Sequence, residues 1–181
     1  MEQIKIIFFL LGSFFGIENS RIASDKTTVT IYPEKHKIEI VQENLFTIIQ
    51  AEKDTPLILA QWEQLANRKE NKLPWAKELE NFTNKNVTIE NKEGAIAPRI
   101  SFNYTDEDDL RALGIWYNNE KKQYSINNIP REHTASENGK LEGNYWIFEG
   151  NSKFSFTIEA FIDLPNEFKK SKLAITEIFE D

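Results

Sequence analysis

No cysteine occurs among the 181 residues. Disulfides, thiolate nucleophiles and zinc–thiolate centres are therefore excluded. Small secreted eukaryotic domains usually carry disulfides, so a cysteine-free exported domain of this size suits a bacterium and must be held by its core alone. Histidine is almost as scarce, with His36 and His133 the only two. They lie far apart, and neither has a second His or a Cys at ligand spacing, so both read as surface histidines and no metal site is expected. No serine sits in a G-x-S-x-G context, and no catalytic or cofactor motif occurs. Basic residues are outnumbered, 22 against 29 acidic, for a net charge of −7. Such a surface repels phosphate backbones and anionic lipid, which argues against nucleic-acid partners. No apolar run reaches the ~20 residues a membrane-spanning helix needs. No repeat of fixed period is visible.

What the chain does have begins at its start. Met1 to Lys5 carries one lysine, Ile6 to Ile17 is almost wholly apolar, and Glu18 to Arg21 is polar. A short charged start, an apolar run and a polar boundary are the layout of a secretory signal peptide. The competing reading is a core segment at the start of a cytosolic protein. Phe8-Phe9-Leu10-Leu11 and Phe14-Phe15 show neither a polar face nor strand alternation, which favours the leader. Ala23, Ser20 and Gly16 are rival cleavage ends, so the mature chain is expected to start between Gly16 and Asp25. Leu11-Gly12-Ser13 opens like a lipobox, but Phe14 stands where the lipidated cysteine would be. The expectation is a leader over 1–23 and one domain over 24–181, exported to the periplasm or beyond, with no membrane span after leader removal. A share of 40% hydrophobic and 28% charged residues is that of a folded chain.

Alternation places strands at Thr27–Tyr32 and Lys37–Val41 around Pro33-Glu34-Lys35-His36, with Leu45–Ile49 extending the second after a kink at Glu43-Asn44. Asp54-Thr55-Pro56 opens a helix with Ile58, Leu59, Trp62, Leu65 and Ala66 on one face. A second short helix is expected near Pro74, with Trp75, Leu79 and Phe82 inward. Val87 and Ile89 mark a strand, and Ile96, Pro98, Ile100, Phe102 and Tyr104 a stronger one. Pro98 lacks an N–H and predicts an edge position or a bulge there. Asp106 to Asp109 begin a short helix that Gly114 stops. Ile115-Trp116-Tyr117 and Gln123–Ile126 form a further hairpin. Residues 127–143 lack periodicity and read as a long loop, a common place for function. Tyr145–Glu149 and Lys153–Ile162 read as a final hairpin, and Leu173–Phe179 as a strand or a helix. The fold class is α+β: a mostly antiparallel sheet built from hairpins, with two or three short helices on one face.

Three features invite a functional reading. Asp106-Glu107-Asp108-Asp109 resembles a calcium cluster. An EF-hand count from Asp106 puts Arg111 and Tyr117 where glycine and glutamate are required, so helix capping is the better account. Asn81, Asn86 and Asn103 match the N-glycosylation pattern, which chance supplies in an Asn-rich chain. Trp116-Tyr117 and Tyr145-Trp146 are the candidate ligand or partner contacts, together with His133 in the long loop. Adjacent aromatics on a strand point to opposite faces, so one of each pair can be exposed and stack on a sugar. The competing reading covers both members. No catalytic residue and no cofactor is assigned. The expected function is an exported, non-enzymatic protein that binds another protein, through strand edges, or an envelope component. The alternatives are a carbohydrate-binding module and, behind it, a hydrolase with paired carboxylates.

Overall fold

The computed structural model describes residues 8–70, 72–128 and 133–179. The chain forms a sheet-rich fold with few helices, and every described strand pair is antiparallel. It builds two sheets where the sequence predicts one. The larger is founded on β1 (Ala23–Tyr32) and β2 (Lys37–Ile48), paired from Ala23↔Phe46 to Tyr32↔Lys37. The turn between them contains Pro33–Lys35 and ends on His36 in the left-handed region, φ 47°. Asn44, φ 55°, supplies the expected kink in β2.

β3 (Thr83–Lys92) and β4 (Ala95–Asn103) form a second hairpin laid against β2. β2 and β4 pair only from Lys37↔Asn103 to Val41↔Arg99. Pro98 lies just past that limit and faces Ile89 of β3. The missing N–H therefore falls where β4 has a neighbour on one side only, and a central strand tolerates it. Further along β2, β11 (Lys172–Ala174) takes over the vacated edge at Phe46–Ile48.

The smaller sheet runs β5 (Ile115–Asn118), β6 (Gln123–Asn127), β9 (Tyr145–Glu149), β8 (Lys140–Glu142). The larger sheet is completed by β10 (Phe154–Ile158) beside β1 and by β7 (Thr134–Ala135) beside β10. The predicted final hairpin does not form. β9 pairs β6 and β8, whereas β10 pairs β1 and β7, so the chain changes sheets across Gly150–Lys153. Gly150 is required at that crossing. A Cβ there would lie 2.5 Å from the Lys122 carbonyl oxygen, which accepts the Gly150 N–H at 2.9 Å. Aromatic rings join the two sheets: Phe148 stacks on Phe154 at 4.3 Å, and Tyr124 lies 5.2 Å from Phe154.

The long loop expected over 127–143 contains β7 and β8, strands of two and three residues, too short to show a period. Positions 129–132 of that loop lie outside the described residues. α1 (Asp54–Ala66) buries Ile58 and Leu65 and half-buries Trp62; Leu59 and Ala66 are exposed instead of inward. The second expected helix is a single 3₁₀ turn, Lys77–Leu79. A four-residue α2 (Asn166–Lys169) precedes β11, and a 3₁₀ turn, Ile175–Phe179, follows it. Ile162, expected to end the last strand of the hairpin, lies beyond the end of β10 and is exposed. Among the described residues no helix is long and apolar enough to cross a membrane.

From Phe8 onward the apolar N-terminal run is packed into this fold, and Ile6 and Ile7 lie outside the described residues. Phe8, Leu11, Phe14 and Ile22 are wholly inaccessible, and Phe15 nearly so. The Leu11 N–H bonds the Ile22 carbonyl at 3.1 Å, and the Ser24 N–H bonds the Phe9 carbonyl at 3.1 Å. The Phe8 carbonyl accepts from the Thr27 hydroxyl and from Gln42 Nε2. Phe8, Phe9 and Phe15 meet Phe156, Phe161 and Trp75 edge-on or tilted.

Candidate functional site

The four-stranded sheet has two unlike faces. Directly opposed residues of antiparallel strands project to the same side. Tyr117↔Tyr124↔Phe148 and Ile115↔Ile126↔Trp146 form the inner side, and Ile115, Tyr124, Ile126 and Phe148 are buried against the larger sheet. Leu141, opposite Trp146, continues the inner side at the β8 edge and is exposed, and the alternate positions form the outer side. One row across it is Trp116↔Ser125↔Ile147↔Lys140, flanked by Asn118↔Gln123↔Glu149 and by Asn127↔Tyr145↔Glu142.

Trp116 and Tyr145 thus stand on the same outer face, 36% and 38% exposed. Their partners within each pair turn inward. Tyr117 packs on Tyr124 at 4.7 Å. Trp146 is half-buried and its indole N–H donates to Asn128 Oδ1 at 3.2 Å. The competing expectation, in which both members of each pair are covered, is corrected: each strand spends one aromatic on the inter-sheet core and leaves the next one open.

Several groups set the orientation of this face. The Arg111 guanidinium lies 5.0 Å from the Trp116 ring centroid and is held there by Asp108 at 3.0 Å. That arginine closes the 3₁₀ turn Glu107–Leu113, whose start is a capping box between Asp106 and Asp109. The acidic run therefore does the capping expected of it, with Gly114 at φ 76° ending the turn before β5. Gln123 Nε2 donates to Glu149 Oε1 at 3.1 Å, and Lys140 pairs with Glu142 at 2.9 Å. That contact and charge hold the Glu142 carboxyl below the usual carboxylate range and raise the Lys140 ammonium. On this face Ile147 and Tyr145 are neighbours along β9, and Ser125 of β6 separates Ile147 from Trp116; amide, hydroxyl and charged side chains border all three.

His133 does not join it. Its Nε2 lies 3.0 Å from Asp163 Oδ2, its carbonyl accepts from Glu159, and it sits at the end of β10 in the larger sheet. His36 stacks on Tyr104 at 5.0 Å, with Glu107 3.6 Å away. The two histidines are thus engaged separately, and among the described residues no group of three His, Cys, Asp or Glu could hold a metal ion.

Comparison with protein-family models, with curated proteins and with solved structures returned no match.

Proposed function

We propose that the protein is a non-catalytic binding protein whose ligand is a glycan of the cell envelope, held on the outer face of the four-stranded sheet. One observation carries this reading: Trp116 and Tyr145 are exposed on the same face of one sheet, with the Ser125 hydroxyl next to Trp116 and the Gln123–Glu149 pair flanking the Trp116 row on the side away from Tyr145. Aromatic faces stack on sugar rings, and amide and carboxylate groups bond their hydroxyls. The strands hold both rings in a fixed relation, so little ordering entropy is lost on binding. The test is a screen of envelope polysaccharide and peptidoglycan fragments, followed by calorimetry. Trp116→Ala and Tyr145→Ala should each weaken binding about tenfold or more while the fold is kept. No affinity for any fragment, or affinity unchanged in both variants, would contradict the proposal.

Export is the second part of the proposal and rests on the charged, apolar and polar order of residues 1–23. The packing of the same run supports a different fate, retention in the working protein. Mass spectrometry of the protein from fractionated cells separates them. A start between Gly16 and Asp25 outside the cytoplasm supports export with cleavage. An intact Met1 in the cytosol overturns export and leaves the aromatic face to a cytosolic sugar.

A protein partner added along a strand edge is the alternative that β3 favours. It is ten residues long, and among the described strands it pairs with β4 alone. Its register break between Thr83 and Asn86, with Asn84 at φ 50° and Lys85 beside it, blunts one end of that edge. Partners captured by a photo-crosslinker and mapping to Thr88–Lys92 would support this reading over the glycan.

A further inference from the structure

A second surface differs from the rest of this acidic molecule. A groove of about 320 Å³ lies between the end of α1 and β3, floored by Phe15, Leu73, Trp75 and Val87. Its cations are Arg68, Lys69, Lys72 and Lys85, and no carboxylate lines it. Two of the four are anchored. Arg68 Nη2 donates to the Val87 carbonyl at 2.6 Å and Nη1 to the Leu65 carbonyl at 3.4 Å. Lys85 Nζ donates to the carbonyls of Leu79 and Phe82 at 3.0 and 2.9 Å. Lys69 and Lys72 are exposed. None of the four makes an ion pair among the described residues.

The placement is built by the backbone. The Leu73 N–H bonds the Arg68 carbonyl at 2.9 Å and closes the turn that presents Lys69 and Lys72, the latter at φ 50°. The Ala76 N–H bonds the Phe14 carbonyl at 2.7 Å, and Phe15 lies 4.9 Å from the Trp75 ring. One side of the indole is thus backed and the rest borders the groove. Four like charges around an apolar floor repel one another, and no ion pair among the described residues neutralises them. Carbonyl anchoring fixes two cations without reducing their charge. An anion would gain from all four.

We propose that this groove binds a small acidic sugar, with the ring against Trp75 and its oxyanion, a carboxylate or a sulfate, between Lys69, Lys72 and Arg68. The volume fits one or two rings. A long polyanion is disfavoured because its charges beyond the groove would meet a surface of net charge −7. This site is separate from the aromatic face and stands without it.

The test uses the full chain and four probes: a galacturonate dimer, a sulfated disaccharide, a neutral galactose dimer and inorganic sulfate. Calorimetry gives affinity and its salt dependence; tryptophan fluorescence reports Trp75. One or both acidic dimers should bind, more weakly as salt rises, and which of them binds names the oxyanion. The neutral dimer should bind at least about tenfold more weakly. Lys69→Gln/Lys72→Gln changes only exposed side chains, so its fold is retained; it should cost the acidic dimers about tenfold or more, while Lys169→Gln/Lys170→Gln, the same charge change outside the groove, should leave them unchanged. Equal binding of acidic and neutral dimers, no binding of either acidic dimer, an unaffected double variant, or inorganic sulfate matching the dimers in affinity would each overturn the proposal. Failure here with glycan still lost in Trp116→Ala would leave the aromatic face standing.

Discussion

Tyr104 and Tyr124 meet hydroxyl to hydroxyl at 3.4 Å inside the molecule, 2% and 1% exposed. Burial raises both phenols above their ordinary value near 10, and for Tyr124 the bond from Tyr104 adds to the rise. Because the folded values are raised, the stability they contribute is complete below pH ~10 and falls as pH climbs beyond it. Alkaline titration followed at the phenolate absorption band should show two of the five tyrosines ionising only with unfolding. Tyr124→Phe should raise the pH of alkaline unfolding; an unchanged midpoint would contradict the account. Asp54 works at the other end of the scale. Bonds from the Gln50 and Ala51 N–H groups, and then the Arg21 guanidinium at 2.9 Å, hold its carboxyl below the usual range. Its contribution is present above pH ~4 and is lost as pH falls through the lowered value. Acid denaturation of Asp54→Asn should therefore begin from a less stable protein and show a shallower loss below pH 4. Asp54 stands at the helix start that the sequence predicts, but its side chain fastens the preceding turn, and the Arg21 contact, 33 positions away, has no local signal.

At the scale of elements, the N-terminal run makes the strongest demand. Phe8, Leu11, Phe14, Phe15 and Ile22 together bury enough apolar surface that stripping residues 1–23 should cost on the order of 10 kcal/mol, comparable with a whole domain's stability. Leu11→Ala alone should lower stability by about 2–5 kcal/mol in denaturant unfolding of the full chain. A loss below 0.5 kcal/mol would mean that this run does not belong to the folded core. Composition could not choose between leader and core, because both are apolar all round; the ring contacts with Phe156, Phe161 and Trp75 support the core reading, and the mass of the working protein tests it. The hairpins β1–β2, β3–β4 and β5–β6 were legible because alternation and turn residues are local signals. The crossing at Gly150–Lys153 was not, since a glycine-containing turn between two strands looks the same whether the strands pair or part. Gly150→Ala tests that crossing. The added methyl meets the Lys122 carbonyl, and a loss of about 1–3 kcal/mol is expected. β7 and β8 were hidden by length, being two and three residues, whereas Leu173–Phe179, open between strand and helix, divides into the end of β11 and a 3₁₀ turn.

For the whole molecule, two packed antiparallel sheets leave one broad face of the smaller sheet open, and that face carries the function proposed. Alternation already required one of Trp116 and Tyr117, and one of Tyr145 and Trp146, to face outward. Which ones depended on where the second sheet lay, and the switch of β10 to β1 decided it. The direct measurement is the four indole N–H signals in a nitrogen–proton correlation spectrum, assigned by single substitutions of Trp62, Trp75, Trp116 and Trp146. Titration with soluble peptidoglycan and envelope-polysaccharide fragments should shift the Trp116 signal saturably and leave those of Trp62 and Trp146 in place. Saturable binding that leaves Trp116 unmoved, or no shift with any fragment, would contradict the account.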